Sequence, residues 1–172
     1  MTWTTYHKRG EILRTVMTVA NERCDGLLPM DLDGVTEKFE DQLELLGALQ
    51  LKWHTRLAGR IEQELADQPM DLESAVVRAW HHTAGEMPGV RAIIDTYLDQ
   101  PLDERMATMM AKARAKERVL LAVMAGKAAY ADTRAAAVGA AIEERARASY
   151  VPIPTDHRAP TLLDRIKAAL AA

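Results

Sequence analysis

The residues of this chain that could form a chemical site lie in two similar strings, Trp53-His54-Thr55 and Trp80-His81-His82-Thr83. If these strings lie on the two helices of an antiparallel hairpin that turns near Pro69, residue 54 is level with about residue 84. His54, His82 and Glu86 then share a height in the bundle. Because His82 and Glu86 are four residues apart, they can hold one ion from one helix face. The sequence therefore offers His54, His82 and Glu86 as candidate metal ligands.

Two other interpretations of the same strings stay open. Helical bundles build di-iron and hemerythrin-like centres from facing carboxylates and imidazoles, usually with a Glu-x-x-His motif in the ferritin-like case. That motif is absent, since Leu51 and Ala79 stand three residues before His54 and His82. In the structural alternative, each tryptophan fills the core and its neighbouring histidine forms hydrogen bonds at the rim. The third possibility is a small-ligand pocket, and no cofactor is favoured.

Glu117 is the other residue whose position is informative. Helical periodicity places it on the apolar side of its helix, among Met110, Ala113, Leu120 and Leu121. A lone carboxylate is costly there unless it is paired or protonated. We predict a buried ion pair with an arginine from a neighbouring helix, so that Glu117→Ala is costly and Glu117→Met is nearly neutral. An edge position and a functional acid are the alternatives.

Sequence motifs of common catalytic sites are absent from the chain. It has no phosphate-binding glycine loop, no Gly-x-Ser-x-Gly, no His-Glu-x-x-His and no Cys-x-x-Cys. The sequence therefore leaves an enzymatic activity uncertain and favours a non-catalytic role.

Helix boundaries are marked by a string of proline, apolar residue and aspartate that occurs three times, at Pro29-Met30-Asp31, Pro69-Met70-Asp71 and Pro101-Leu102-Asp103. Proline cannot continue a preceding helix, and aspartate accepts hydrogen bonds from the free N–H groups of the next one. Each string therefore predicts the end of one helix and the start of another.

Apolar periodicity of three and four residues supplies the helices between these boundaries. The predicted helices span residues 3–24, 33–66, 71–86, 90–98, 102–131 and 132–149. The second has a near-heptad repeat, and no segment alternates as a strand does. We predict an all-α fold in which residues 1–150 form one antiparallel bundle of about five to six helices.

Residues 151–172 differ in kind and are predicted to form a proline-rich arm that ends in a short amphipathic helix. Pro152, Pro154 and Pro160 favour extended backbone. Residues 161–172 then place Leu162, Leu163, Ile166 and Leu170 on one side of the helix. A helix this short is marginal alone, so we expect residues 161–172 to pack on their own domain, a second subunit or a protein partner.

Composition and charge limit the class of protein. The 172 residues suit one domain, the single Cys24 permits no intrachain disulfide, and the opening residues lack the apolar core of a secretory signal, so a cytoplasmic location is expected. No apolar run is long enough to span a membrane. Residues 1–100 carry 10 basic and 17 acidic side chains, a net −7, whereas 101–172 carry 12 and 8, a net +4. This asymmetry favours self-association over nucleic-acid binding.

The functional hypothesis with the most support is therefore a non-catalytic protein that acts by self-association, as a homodimer, or by docking a partner. The near-heptad helix supports a dimer because Leu45, Ala48 and Leu51 lie off its main apolar stripe and widen its apolar surface. The alternative is a bundle that binds a metal ion or a small apolar ligand between its helices.

Overall fold

The computed structural model describes residues 3–67 and 69–152, with side chains from residue 8 onward, and the predicted helix at 161–172 lies outside these ranges. In the described part the chain forms seven helices that pack on one another and no strand, which confirms the all-α bundle. The helices are α1 (Trp3–Arg23), α2 (Val35–Lys38), α3 (Gln42–Ala66), α4 (Leu72–Glu86), α5 (Pro88–Asp99), α6 (Glu104–Met124) and α7 (Ala135–Ser149).

Helix α3 is the centre of the bundle and packs against α1, α4, α5 and α6. Most of its near-heptad residues are fully buried, and they include Leu46, Leu49, Trp53, Leu57 and Ile61. Leu43 and Leu65, near the two ends of the helix, are partly buried. The short turn after α3 makes α4 antiparallel to it, whereas α3 and α6 run in the same direction, since Leu43 lies beside Arg105 and His54 beside Lys116. No helix within residues 3–67 and 69–152 has the length and apolar character needed to cross a bilayer.

Two of the three proline-containing strings start helices as predicted. Asp71 Oδ1 accepts a hydrogen bond from Ser74 N at 3.1 Å, and Asp103 Oδ1 accepts one from Met106 N at 2.7 Å. The prediction for Asp31 is wrong, because its carboxylate accepts two hydrogen bonds from the Arg23 guanidinium instead. The chain then turns through Gly34, with φ of 80°, before α2 begins.

The single long helix predicted over residues 33–66 is interrupted. Phe39 is buried with extended backbone, and α3 begins only after Asp41, whose side chain accepts a hydrogen bond from Glu44 N at 2.8 Å. Glu44 reaches back to accept a hydrogen bond from Glu40 N at 2.7 Å. An aspartate followed three residues later by a glutamate satisfies the free N–H groups of a new helix, and this signal is present in the sequence.

Helix α6 corresponds to the helix predicted over residues 102–131, but it ends earlier, at Met124. Gly126 takes the left-handed conformation, with φ of 68°. Its N–H donates to the carbonyl of Val123 at 3.0 Å, and Lys127 N donates to that of Ala122 at 2.9 Å. These two bonds are the Schellman arrangement that closes a helix at a glycine.

Helices α6 and α7 cross at very short distance. A Cβ atom at Gly139 would lie 1.8 Å from the carbonyl oxygen of Arg118, so no other residue fits there without a shift of one helix. One turn further along α7, this approach places Glu143 beside the Arg118 side chain. The crossing therefore positions one carboxylate of the site described below.

We predict that Asp103→Ala destabilises the fold by about 1 kcal/mol, because the first turn of α6 loses its side-chain cap. Asp31→Ala is the matched control from the same sequence string. Its exposed ion pair with Arg23 stabilises the fold little, so the loss should be clearly smaller. Urea denaturation of both variants measures the difference, and equal losses would contradict the assignment of Asp103 as a cap.

Candidate functional site

The three predicted metal ligands lie in different places. Both oxygens of Glu86 accept hydrogen bonds from arginines of α3, one from Arg56 and one from Arg60. His82 is exposed, and its Nε2 lies 3.7 Å from Glu64 Oε1. His54 lies half-buried in a groove between α3 and α6.

The register of the α3–α4 hairpin takes His54 away from the level of His82. Arg56 contacts Glu86 and Arg78 contacts Glu64, so residue 54 is level with about residue 88, one turn beyond the predicted level. Glu86 stays two residues from the level of His54, but the two side chains are apart because His54 faces α6 and Glu86 is paired with Arg56 and Arg60. In the described part of the chain, no three His, Cys, Asp or Glu side chains are grouped so that they could hold a metal ion. The metal site stays a prediction, and elemental analysis of the purified protein would test it.

The two tryptophans take the structural role proposed for them. Trp53 and Trp80 are buried and meet edge to face, with ring centroids 6.0 Å apart. The edge-to-face series continues to Tyr150, whose ring centroid is 5.8 Å from that of Trp80. His81 Nε2 lies 2.8 Å from the carbonyl oxygen of Ala146, which ties the end of α7 to α4 at the rim of the core.

Glu117 is buried against an arginine, as predicted. Its side chain is 4% exposed, and its Oε1 lies 3.7 Å from Arg91 Nη1 of α5. Its Oε2 accepts a hydrogen bond from Trp53 Nε1 at 3.0 Å. The Arg91 guanidinium also lies over the Trp53 ring, 4.8 Å from its centroid. One carboxylate thus connects α3, α5 and α6.

The ion pair continues into a chain of alternating charges, which we call the charge network. Arg91 donates to Asp95 Oδ1 at 2.7 Å, and Arg147 of α7 donates to both oxygens of Asp95. Arg147 also donates to Glu143 at 2.9 Å, and Arg118 of α6 donates to the same carboxylate at 2.7 Å. The members of the network are Arg91, Asp95, Arg114, Glu117, Arg118, Glu143 and Arg147.

The arginines of the network hold Asp95 and Glu143 in the charged form. Burial works against the charge of Asp95, but hydrogen bonds from Arg147 and Arg91 outweigh it, so the pKa of Asp95 lies below its ordinary value. Burial also acts against the charge of Glu143, but the hydrogen bonds and positive charges of Arg118, Arg114 and Arg147 outweigh it. The pKa of Glu143 therefore also lies below its ordinary value. Asp95 and Glu143 therefore form ion pairs with these arginines at neutral pH.

A groove with a volume of about 490 Å³ lies between α3 and α6. We call it the α3–α6 groove. Its lining residues are Gly47, Gln50, Leu51, His54, Met109, Lys112, Ala113 and Lys116. Leu51 is 65% exposed although it is a large apolar residue. A second cavity of about 520 Å³, lined by Leu43 and Arg105, shares Met109 and Lys112 with the groove and extends it toward the starts of both helices.

Charges of opposite sign lie at the two ends of this groove. At the end where α3 and α6 begin, four exposed carboxylates stand at the two helix starts, and they are Glu40, Asp41, Asp103 and Glu104. The second cavity at this end is lined by Glu104 and by the cations Arg105 and Lys112. At the other end, the exposed Lys116 lies beside His54, whereas Lys112 lies between the two ends because it lines both cavities. The groove thus has an acidic end and a basic end, with Leu51, Met109 and Lys112 between them.

Two further residues of the charge network, Arg91 and Glu143, are recognisable from the sequence as charges on apolar helix faces. Arg91 stands among the apolar Val90, Ile93 and Ile94, and Glu143 follows Ile142 on the buried face of α7. The rule that identified Glu117, a charge on an apolar helix face, applies to both. The hydrogen bond from Trp53 has no such signal, because it joins residues 64 positions apart.

Comparison of the chain with protein-family models, with curated proteins and with solved structures gave no match.

We predict that Glu117→Ala costs about 3–5 kcal/mol of folding free energy, because Arg91 loses a buried partner and the Trp53 N–H loses its acceptor. The sequence alone predicted that Glu117→Met is nearly neutral. With the structure, we expect this variant to cost about 1–3 kcal/mol, because the Trp53 N–H loses its acceptor. Glu117→Gln keeps an acceptor and should cost least. Denaturant titration of the three variants tests this order, with the exposed Glu144→Ala as control. Equal losses in all three would contradict it.

We also predict a dependence of stability on acid. Because the folded pKa values of Asp95 and Glu143 are lowered, their contribution is present above the unfolded pKa values of roughly 4 and is lost as pH falls through the folded ones. The melting temperature should therefore fall steeply below about pH 4. The double variant Asp95→Asn/Glu143→Gln should melt lower at pH 7 but lose less on acidification. Parallel pH profiles would show that these groups do not titrate as described.

Proposed function

We propose that this protein acts by self-association, as a homodimer in which the α3–α6 groove of each copy receives the same face of the other. The observation that carries the proposal is the exposed Leu51 in a groove that also contains Met109. An apolar side chain exposed beside an apolar groove gains stability when a partner covers both.

The shape of the groove supports this assignment. A Cβ atom at Gly47 would meet no atom of the described residues within 4 Å, so the middle of the groove has room for a side chain from a partner. Leu51 lies one helical turn further along the same face of α3. In a pair of copies related by a two-fold axis, Leu51 of each copy can enter the space beside Gly47 of the other.

The charges favour a second copy over an unrelated partner. A two-fold axis across the middle of the groove places the acidic end of one copy against the basic end of the other, so that Glu104 faces Lys116 at both ends. Complementary charges of this kind fix the relative orientation of two partners and steer their encounter. The surface is therefore complementary to itself in an antiparallel arrangement.

Fewer apolar residues of α3 are available for a dimer contact than the sequence predicted. Leu45 is fully buried and Ala48 packs against the core, so neither contributes surface to a partner. Leu51 alone of the three is exposed. The four helices packed on α3 account for this difference.

The same experiments can also reveal either of two other occupants of the groove. A volume of about 490 Å³ lies within the range of small-molecule sites, so a small apolar ligand is the second candidate. The predicted helix at residues 161–172 is the third, acting on its own subunit or on a partner. Asp substitution of Ile166 in the full chain would weaken association only if this arm takes part.

We predict that Gly47→Leu abolishes the dimer, because the new side chain fills the space that the partner requires. Gly59→Leu is the matched control, since Gly59 is also on α3, has open space around its Cβ position and does not line the groove. Sedimentation equilibrium should give twice the 19.1 kDa chain mass for the wild type and the control, and 19.1 kDa for Gly47→Leu.

Charge reversal tests the orientation of the two copies. Glu104→Lys and Lys116→Glu should each weaken the dimer about tenfold, because each places like charges together at both ends. The double variant carries both reversals and should restore the wild-type affinity. A wild-type protein that sediments at 19.1 kDa at micromolar concentration refutes self-association. If none of these substitutions changes the affinity of the dimer, the interface lies elsewhere on the protein.

A further inference from the structure

A small cavity that shares Gln50 with the α3–α6 groove lies at the point where the charge network meets α3. Its apolar walls are Ile94, Leu98 and Met110, and its polar lining is Gln50, Arg91, Arg114, Glu117 and Glu143. The cavity can hold about one water-sized sphere, because the space in which the centre of such a sphere fits is about 10 Å³. This is near the minimum of roughly 10–15 Å³ that one buried water molecule needs.

The polar atoms without a partner in the described part of the molecule concentrate on the residues of this cavity. Six buried side-chain atoms lack a hydrogen-bond partner there, and four of them are Gln50 Oε1, Arg91 Nε, Arg91 Nη1 and Glu117 Oε1. Gln50 and Arg91 are 7% exposed and Glu117 is 3% exposed. Buried polar groups in folded proteins almost always have a partner, so these three side chains require one.

The chemistry of the three side chains determines what the partner must be. Gln50 Oε1 and Glu117 Oε1 accept hydrogen bonds, whereas the N–H groups of Arg91 donate them. A cation would be repelled by Arg91 and Arg114 and an anion by Glu117 and Glu143, since each fixed charge lies at the cavity wall. A small neutral molecule that donates twice and accepts at least once can partner Gln50 Oε1, Glu117 Oε1 and Arg91 Nη1, and at this volume that molecule is water.

We propose that this cavity is a binding site for one long-lived water molecule. It donates to Gln50 Oε1 and Glu117 Oε1 and accepts from Arg91 Nη1, and so bridges the 3.7 Å between Arg91 Nη1 and Glu117 Oε1. The site joins α3 to the charge network. It is independent of the proposed dimer, because none of its polar contacts needs a second copy.

The methyl groups of the cavity wall provide the test in the full-length protein. Nuclear Overhauser effects between water and the methyl protons of Met110 and Ile94 should be observed, with the sign of a water that stays for nanoseconds or longer. The methyl group of Met70, which is fully exposed, should lack this effect and is the internal control.

A matched pair of variants locates the water. Gln50→Met keeps the length of the side chain but removes an acceptor, so it should remove or strongly reduce the effect at Met110 and Ile94. Gln42→Met makes the same change at an exposed position of α3 and should leave it intact. Two results would overturn the proposal: no long-lived water at Met110 and Ile94 in the wild type, or an effect that Gln50→Met leaves unchanged.

Discussion

The burial of the Glu117 carboxylate between Trp53 and Arg91 is the constraint on which the arrangement of the helices depends. A carboxylate almost removed from water is stable only while both a hydrogen-bond donor and a positive charge stay close. The donor comes from α3 and the charge from α5, so neither helix can slide or rotate against α6 without orphaning a buried charge. Arg91 in turn requires Asp95, which binds Arg147 of α7, and the chain of charges ends at the half-exposed Arg118 and Arg114. Register is fixed by polar contacts, and the apolar side chains fill the space between them.

The same constraint explains which features the sequence could predict. Helix starts at Asp71 and Asp103 depend on residues within three positions, and the burial of Glu117 depends on its own helix face, so all three were predictable. The break at Phe39 was also predictable from the Asp41 and Glu44 pair, but apolar periodicity concealed it. By contrast, the level of His54 depends on the exact register of the α3–α4 hairpin. An error of one turn there separates His54 from His82, and the direction of His54 toward α6 separates it from Glu86.

The site residues divide in the same way. Charges on apolar helix faces mark Arg91 and Glu143, but their partners are set by packing. The close crossing of α6 over Gly139 places Arg118 against Glu143, and no local pattern encodes that pair. The groove depends on what remains uncovered after the helices assemble. Leu45 and Leu51 both lie off the main apolar stripe of α3, yet one is fully buried and the other is 65% exposed. For a protein proposed to act through its surface, that difference carries the function.

The central functional claim is that two copies meet through their α3–α6 grooves in antiparallel orientation, and a distance between copies tests it most directly. Cys24 is the only cysteine and is exposed, so a Cys24→Ser background allows one spin label at Lys112→Cys near the proposed axis and, separately, one at Arg134→Cys far from it. Pulsed electron resonance should give a short distance between copies for the label at position 112 and a much longer one for position 134. A distance that is shorter at position 134, or no distance between copies at either position, would contradict the account.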